Sequence, residues 1–174
     1  KTNTSKFIYK LPEIKGLTPV WFLDLRVFNK DNQEVDNSIY WLSAKKDILD
    51  YEAANKLVWA YYTPTKQYAD YSALDQLPKV KLDFDFQFIK NGESGEVTLK
   101  ISNPSDAIAF FIFLDVIDPL NGKPILPVFW DDNYVTILPG EERNYKAQYF
   151  LRDAGSEKPV IKVNGWNVDM ITCD

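Results

Sequence analysis

From Lys79 onward apolar side chains recur at every second position, and that period of two commits the region to β-strands. Leu82, Phe84, Phe86 and Phe88 alternate with Lys81, Asp83, Asp85 and Gln87, the pattern of a strand with one buried face. Asn91-Gly92 and Ser94-Gly95 offer turn residues, and Val97, Leu99 and Ile101 then alternate with Thr98 and Lys100 until Asn103-Pro104-Ser105 ends the run. Ile108 to Asp118 is more heavily apolar. Ile108, Phe110, Ile112, Leu114 and Val116 share one parity and are predicted to face a core, which leaves Ala109, Phe111, Phe113 and Ile117 outward. Ile125–Trp130, Tyr134–Leu138, Arg143–Leu151 and Val160–Met170 complete the set. About seven strands, punctuated by turn signals roughly every 8–12 residues, predict an all-β, immunoglobulin-like β-sandwich over residues 79–174. No helical period interrupts them, so a parallel α/β sheet is disfavoured.

The first part of the chain reads differently. Val20–Phe28 alternates Trp21, Leu23, Leu25 and Val27 with Asp24 and Arg26, Lys30-Asp31-Asn32 reads as a hairpin turn, and Gln33–Ser43 returns as a second strand. Two or three strands are too few for a core of their own. Residues 1–44 are therefore expected to be the closing strands of a preceding β-sandwich, present only in part. Residues 45–78 are expected to be an aromatic-rich linker, with a short helix in Asp47–Trp59 (Glu52, Ala53 and Ala54 favour it) and one helical turn before Leu77-Pro78. The chain opens Lys1-Thr2-Asn3-Thr4-Ser5, with neither an initiator Met nor an apolar signal core, which predicts a fragment or a processed form.

Composition removes most chemistries. With no histidine among 174 residues, a Ser-His-Asp or Cys-His nucleophile and any His-ligated zinc are excluded. Cys173 stands alone and cannot form an internal disulfide. The net charge of −5 and the absence of a basic stripe argue against a nucleic-acid partner. The longest nearly unbroken apolar run, Ala107–Leu114, is far short of the ~20 residues of a membrane helix, so no membrane partner is expected. No glycine-rich phosphate loop occurs, and no cofactor is expected.

Carboxylates remain as the candidate catalytic groups. Asp83 and Asp85 alternate with phenylalanines and read as a solvated face, whereas Glu141-Glu142 follows the Pro139-Gly140 turn. Asp131 and Asp132 are adjacent, so in an extended segment they point opposite ways. Asp131-Asp132-Asn133 offers oxygen ligands without the spacing, glycine or bidentate glutamate of a calcium loop. No catalytic pair and no metal site are predicted.

The segment Leu126-Pro127-Val128-Phe129-Trp130-Asp131-Asp132-Asn133-Tyr134, with Leu138-Pro139-Gly140-Glu141 after it, resembles a stretch in the final sandwich domain of family 2 glycoside hydrolases, of the exo-β-glucosaminidase and β-mannosidase type. Tyr40-Trp41-Leu42-Ser43, Tyr61-Tyr62-Thr63-Pro64, Tyr68–Leu74 and Asn103-Pro104 through Phe111 follow the same pattern in order. The resemblance implies a non-catalytic, C-terminal accessory region of an exo-acting β-glycosidase involved in carbohydrate metabolism. The catalytic barrel with its two glutamates is absent, so this chain alone is not expected to be an enzyme and no family catalytic residue maps onto it. Other domains of the parent chain are the implied partners, and a secreted or periplasmic location is the implied setting. The alternative reading is an autonomous carbohydrate-binding module, and an adhesion-type sandwich is a third with only fold-level support.

Two sets of residues stand out as candidate sites. Trp130, Asp131, Asp132, Asn133 and Tyr134 are read either as a structural corner, with the polar side chains bonding nearby backbone, or as a loop lining the rim of the sugar entrance. The corner is the favoured reading, because Trp and Tyr serve packing more often than ligand contact. Phe111 and Phe113, two outward rings too costly to leave in water, are predicted to contact the linker or a neighbouring domain.

Overall fold

The structure, a computed structural model, describes residues 2–56, 62–155 and 158–173. Two compact units divide the chain, Lys1–Leu74 and Asp75–Asp174.

In the first unit, β1 (Val20–Phe28) and β2 (Glu34–Ser43) form a two-stranded antiparallel ribbon. Asn29 closes its turn, with the side-chain carbonyl accepting from the Asp31 and Gln33 amides and Asn32 at φ 57°. The register sets Trp21, Leu23, Leu25 and Val27 with Leu42 and Tyr40 on one face. The other face carries Arg26, whose guanidinium bonds Asp24 at 2.6 Å and Glu34 at 3.4 Å. The short strands β3 (Ile48–Leu49) and β4 (Thr65–Gln67) pair with each other. Between them lies α1 (Tyr51–Lys56), capped by Asp50, whose carboxylate accepts from the Ala53 amide at 2.9 Å. The helix is thus shorter than the predicted Asp47–Trp59 because Ile48 and Leu49 are taken by β3, and residues 57–59 lie outside the described residues. A single 3-10 turn, Ser72–Gln76, follows.

The second unit is a sandwich of two four-stranded sheets. One holds β5 (Asp83–Asn91), β6 (Ser94–Ser102), β10 (Glu142–Phe150) and β8 (Val128–Trp130), in that order. The other runs β12 (Ile171–Cys173), β11 (Val160–Asn164), β7 (Ala109–Ile117) and β9 (Val135–Ile137). Every paired strand is antiparallel. Val97, Leu99 and Ile101 of β6 and Tyr145, Ala147 and Tyr149 of β10 meet Ile112, Leu114 and Val116 of β7 and Ile161 and Val163 of β11 in one continuous core. Phe84, Phe86 and Phe88 pack against it from the edge strand β5.

Four sequence expectations need correction here, the first being Ser94-Gly95, which open β6 and leave the turn to Gly92 at φ 60°. The register of β7 against β9 shifts between Ala109 and Ile112, and Phe111 sits at φ 54° within that bulge. One extra residue reverses the parity on its N-terminal side, so Ala109 joins the core cluster and Ile108 is only half-buried, while Phe110 is buried as predicted, at 2% exposure, but outside that cluster. Ile117, predicted outward, is buried as well. Val160–Met170 is not one strand, because β11 ends at Asn164. Gly165 and Trp166 then turn the chain, donating to the Val168 and Phe110 carbonyls, and β12 begins at Ile171. Ile125–Trp130 likewise contributes only Val128–Trp130 to the sheet, preceded by a cis Leu126–Pro127 bond and a proline nitrogen with no hydrogen to donate.

Candidate functional site

The loop Trp130–Tyr134 carries the chain from β8 in one sheet to β9 in the other. Two side chains fasten it. The Asp131 amide donates to the Lys146 carbonyl and its carboxylate accepts from the Lys146 amide, both at 2.9 Å, which prolongs the β8–β10 pairing by one residue. On the other side Asn133 Oδ1 accepts from the Leu114 amide and Asn133 Nδ2 donates to the Leu114 carbonyl, both at 2.8 Å. Asp132 projects outward, and its carboxylate accepts from the Asn133 amide at 2.8 Å. Trp130 is half-buried against the core.

Tyr134 does something else. It lies at φ 57° and 54% exposed, with its ring 5.1 Å from those of both Phe111 and Phe113. Phe111, within the bulge of β7, thus faces Tyr134, so one member of the Trp130–Tyr134 group meets Phe111 and Phe113. Phe110, itself buried, lies 5.6 Å from Phe111 and 6.2 Å from Trp166. Between Tyr134 and Trp166 lies a shallow notch of about 340 Å³, lined by Phe111, Phe113, Tyr134, Asn164, Gly165 and Trp166. Four of its six residues are aromatic. Asn164 uses its side-chain carbonyl to accept from the Gly165 amide at 2.9 Å.

The remaining carboxylates stand apart from this face in role. Asp83 and Asp85 are exposed on β5, Glu142 pairs with Lys100 at 3.3 Å, and Glu141 accepts from the Leu138 amide. Among the described residues no three Cys, Asp or Glu side chains are grouped so as to hold a metal ion. Asp115 is the acid that sequence reasoning passed over. It is only 8% exposed, and burial pushes its carboxyl above the ordinary value, an effect that a Val116 amide contact and the charge of Lys162, its cross-strand partner on β11, partly offset. Its sequence signal was available: a lone charge within Ala109–Ile117.

Two buried asparagines were also missed. Asn167 accepts from the Phe110 amide and donates to the carbonyls of Pro78 and Ile108 at 2.7–2.9 Å. Asn103, read only as a strand stop, donates to the carbonyls of Ala107 and Ile137. The Asn167 partners lie 57 to 89 residues away, so no local pattern marks it, whereas Asn103 also accepts from Ser105 within its own turn, a local signal.

Known proteins resemble this chain in sequence and in fold. The family model of the exo-β-D-glucosaminidase Ig-fold domain matches residues 60–168. An exo-β-D-glucosaminidase of Amycolatopsis orientalis is 32% identical over 160 residues, which is 90% of this chain but 15% of that protein. One from Streptomyces avermitilis is 31% identical over 156 residues, 88% of this chain and 17% of its own length. The crystal structure of the Amycolatopsis orientalis exo-chitosanase CsxA superposes with a TM-score of 0.86 at 30% identity, covering 93% of this chain and 19% of that one. The chain therefore spans less than a fifth of the relatives it matches, and over most of its own length it belongs to the exo-β-D-glucosaminidase Ig-fold domain family.

Proposed function

We propose that this chain is a non-catalytic accessory region of a family 2, exo-acting β-D-glucosaminidase, in which it braces the longer polypeptide. One observation carries the reading: the matched relatives are exo-glucosaminidases several times longer, and nine-tenths of this chain aligns within one of them. In this reading residues 1–44 are the closing strands of a preceding sandwich, residues 45–78 the linker and residues 79–174 the immunoglobulin-like domain. The β1–β2 ribbon supports the first assignment. A two-stranded sheet is at best marginally stable in water, yet this one presents Leu25, Val27 and Tyr40 exposed on one face. More strands and a facing sheet would complete it. The Trp130–Tyr134 loop is, in the same reading, a structural corner, since Asp131 and Asn133 spend their side chains on the backbones of the two sheets.

Hydrolysis of an aryl β-D-glucosaminide tests the proposal. The 174-residue chain alone is expected to give no turnover, and the full polypeptide that contains it is expected to release the aglycone. Turnover by the chain alone that is lost on mutating one of its carboxylates would overturn the non-catalytic assignment. A full polypeptide inactive on the glucosaminide would overturn the parentage.

A further inference from the structure

We propose that the notch between Tyr134 and Trp166 is the seat of an apolar side chain from another domain of the same glycosidase polypeptide, and so an interdomain lock. This rests on the accessory reading above. The first ground is chemical. Phe111, Phe113, Tyr134 and Trp166 line the shallow notch, so an occupant meets aromatic surface across its inner side. Tyr134 and Trp166 stand 54% and 49% exposed, and large aromatic rings grouped on one sheet face form the kind of patch that marks a protein contact.

The second ground is backbone strain. Phe111 at φ 54° and Tyr134 at φ 57° both occupy the left-handed region, which bulky residues rarely adopt. Left-handed non-glycine residues cost free energy and persist where the surroundings impose them, often at functional surfaces. These two backbones carry rings that lie 5.1 Å apart. Both left-handed residues thus contribute their rings to the lining of the notch.

The third ground selects the occupant. Sugar recognition needs several convergent hydrogen-bonding groups around the stacking ring, whereas the notch has no charged side chain and its side-chain polar groups are the Tyr134 hydroxyl, the Trp166 indole N–H and the Asn164 carboxamide, whose carbonyl already accepts from Gly165. Its Phe111–Tyr134 and Phe113–Tyr134 ring planes are inclined by 43° and 32°, so they form no flat platform for a pyranose ring. An apolar protein side chain requires neither. The chain also covers less than a fifth of relatives such as CsxA, so most of a protein built like them is available to supply it.

Hydroxyl-radical footprinting read by peptide mass spectrometry tests the lock on unmodified protein. Oxidation of Tyr134 and Trp166 is compared between the 174-residue chain and the full polypeptide. At least fivefold slower oxidation of both residues in the full polypeptide is expected. Equal rates in the two forms overturn the lock, and do so even when that polypeptide hydrolyses the glucosaminide, so the two proposals fail separately. Protection of both residues in the 174-residue chain by added glucosamine oligomers would assign the notch to sugar and also overturn it.

Discussion

Asn133 pairs with Leu114 as though its side-chain amide were strand backbone, accepting from the Leu114 N–H and donating to the Leu114 carbonyl at 2.8 Å each. The position explains it. β9 pairs with β7 through Ile112 and Val135, so one step further along the ladder Leu114 would face residue 133. The backbone at 133 has already left the sheet to cross toward β8, and the carboxamide bridges the gap because, like a peptide group, it carries a donor and an acceptor together.

Removing that carboxamide orphans two backbone groups, each hydrogen bond being worth about 1 kcal/mol net. Asn133→Ala is expected to destabilise by about 2 kcal/mol, a fall in Tm of roughly 10 °C for a unit of this size. Asn133→Asp keeps the acceptor for the Leu114 amide but sets a carboxylate against the Leu114 carbonyl. Its loss should be at least as large at neutral pH and smaller in acid, where the protonated group can donate. Thermal melts at two pH values decide it, and an Asn133→Ala protein that melts with the wild type removes the bridge from the list of stabilising contacts.

Gly95 and Tyr149 form a cross-strand pair, directly opposite each other on β6 and β10 of one sheet. The Tyr149 ring lies across the bare glycine, and a Cβ there would sit well under 3.0 Å from ring atoms. Gly95→Ala should therefore drive Tyr149 from its buried place in the core and cost about 1–3 kcal/mol, as overpacking does. A Tyr149→Leu partner substitution removes the clash. In urea unfolding, Gly95→Ala should cost measurably less in the Tyr149→Leu background than in the wild type. Equal costs in both backgrounds would show that the clash is not the reason.

How much of this was legible depends on the distance over which each feature is determined. Alternation alone placed β1, β5 and β6, because burial of one face repeats locally along the strand. The bulge at Phe111 could not be read, since a left-handed phenylalanine has no sequence signature and its cause is the fit of β7 against β9. Asn133 stood within a segment already singled out, but its partner is 19 residues away and became visible only with the register. Asn167 was read as one more residue of a long strand, and only folding reveals it as a clasp on Pro78, Ile108 and Phe110. The aromatic surplus was legible as a quantity. That four of those rings line one outward notch was not.

Asp115 gives the chain a pH signature. A carboxyl whose pKa is raised on folding holds its proton more tightly in the folded state. Its favourable contribution is complete below the unfolded value, here 3.8, and disappears as the pH rises through the higher folded value. At neutral pH the desolvated carboxylate is a liability that Lys162 only partly offsets. Asp115→Asn, a neutral isostere, should match the wild type in stability near pH 3 and exceed it at pH 7. Urea midpoints at the two pH values test this. A variant less stable than the wild type at pH 7 would mean that the attraction to Lys162 outweighs burial.

Trp130 separates the corner from the rim. Its backbone pairs with Ala147 across β8 and β10, and its ring packs half-buried against the core. The neighbouring Asp131 depends on that pairing to reach Lys146. Truncation to alanine leaves a cavity at the end of the sandwich. Full burial of a tryptophan would make that cost 3–5 kcal/mol, so about 2 kcal/mol is the expectation for a half-buried ring. In the full glycosidase, Trp130→Ala should therefore lower Tm while kcat and KM for the aryl glucosaminide stay at wild-type values. Were the loop part of the sugar entrance, the same substitution would raise KM, since a ring that stacks on substrate contributes to binding, and would do so at an unchanged Tm. Measuring both quantities on one preparation makes the outcomes exclusive, because the corner moves only the melting curve and the rim only the Michaelis curve.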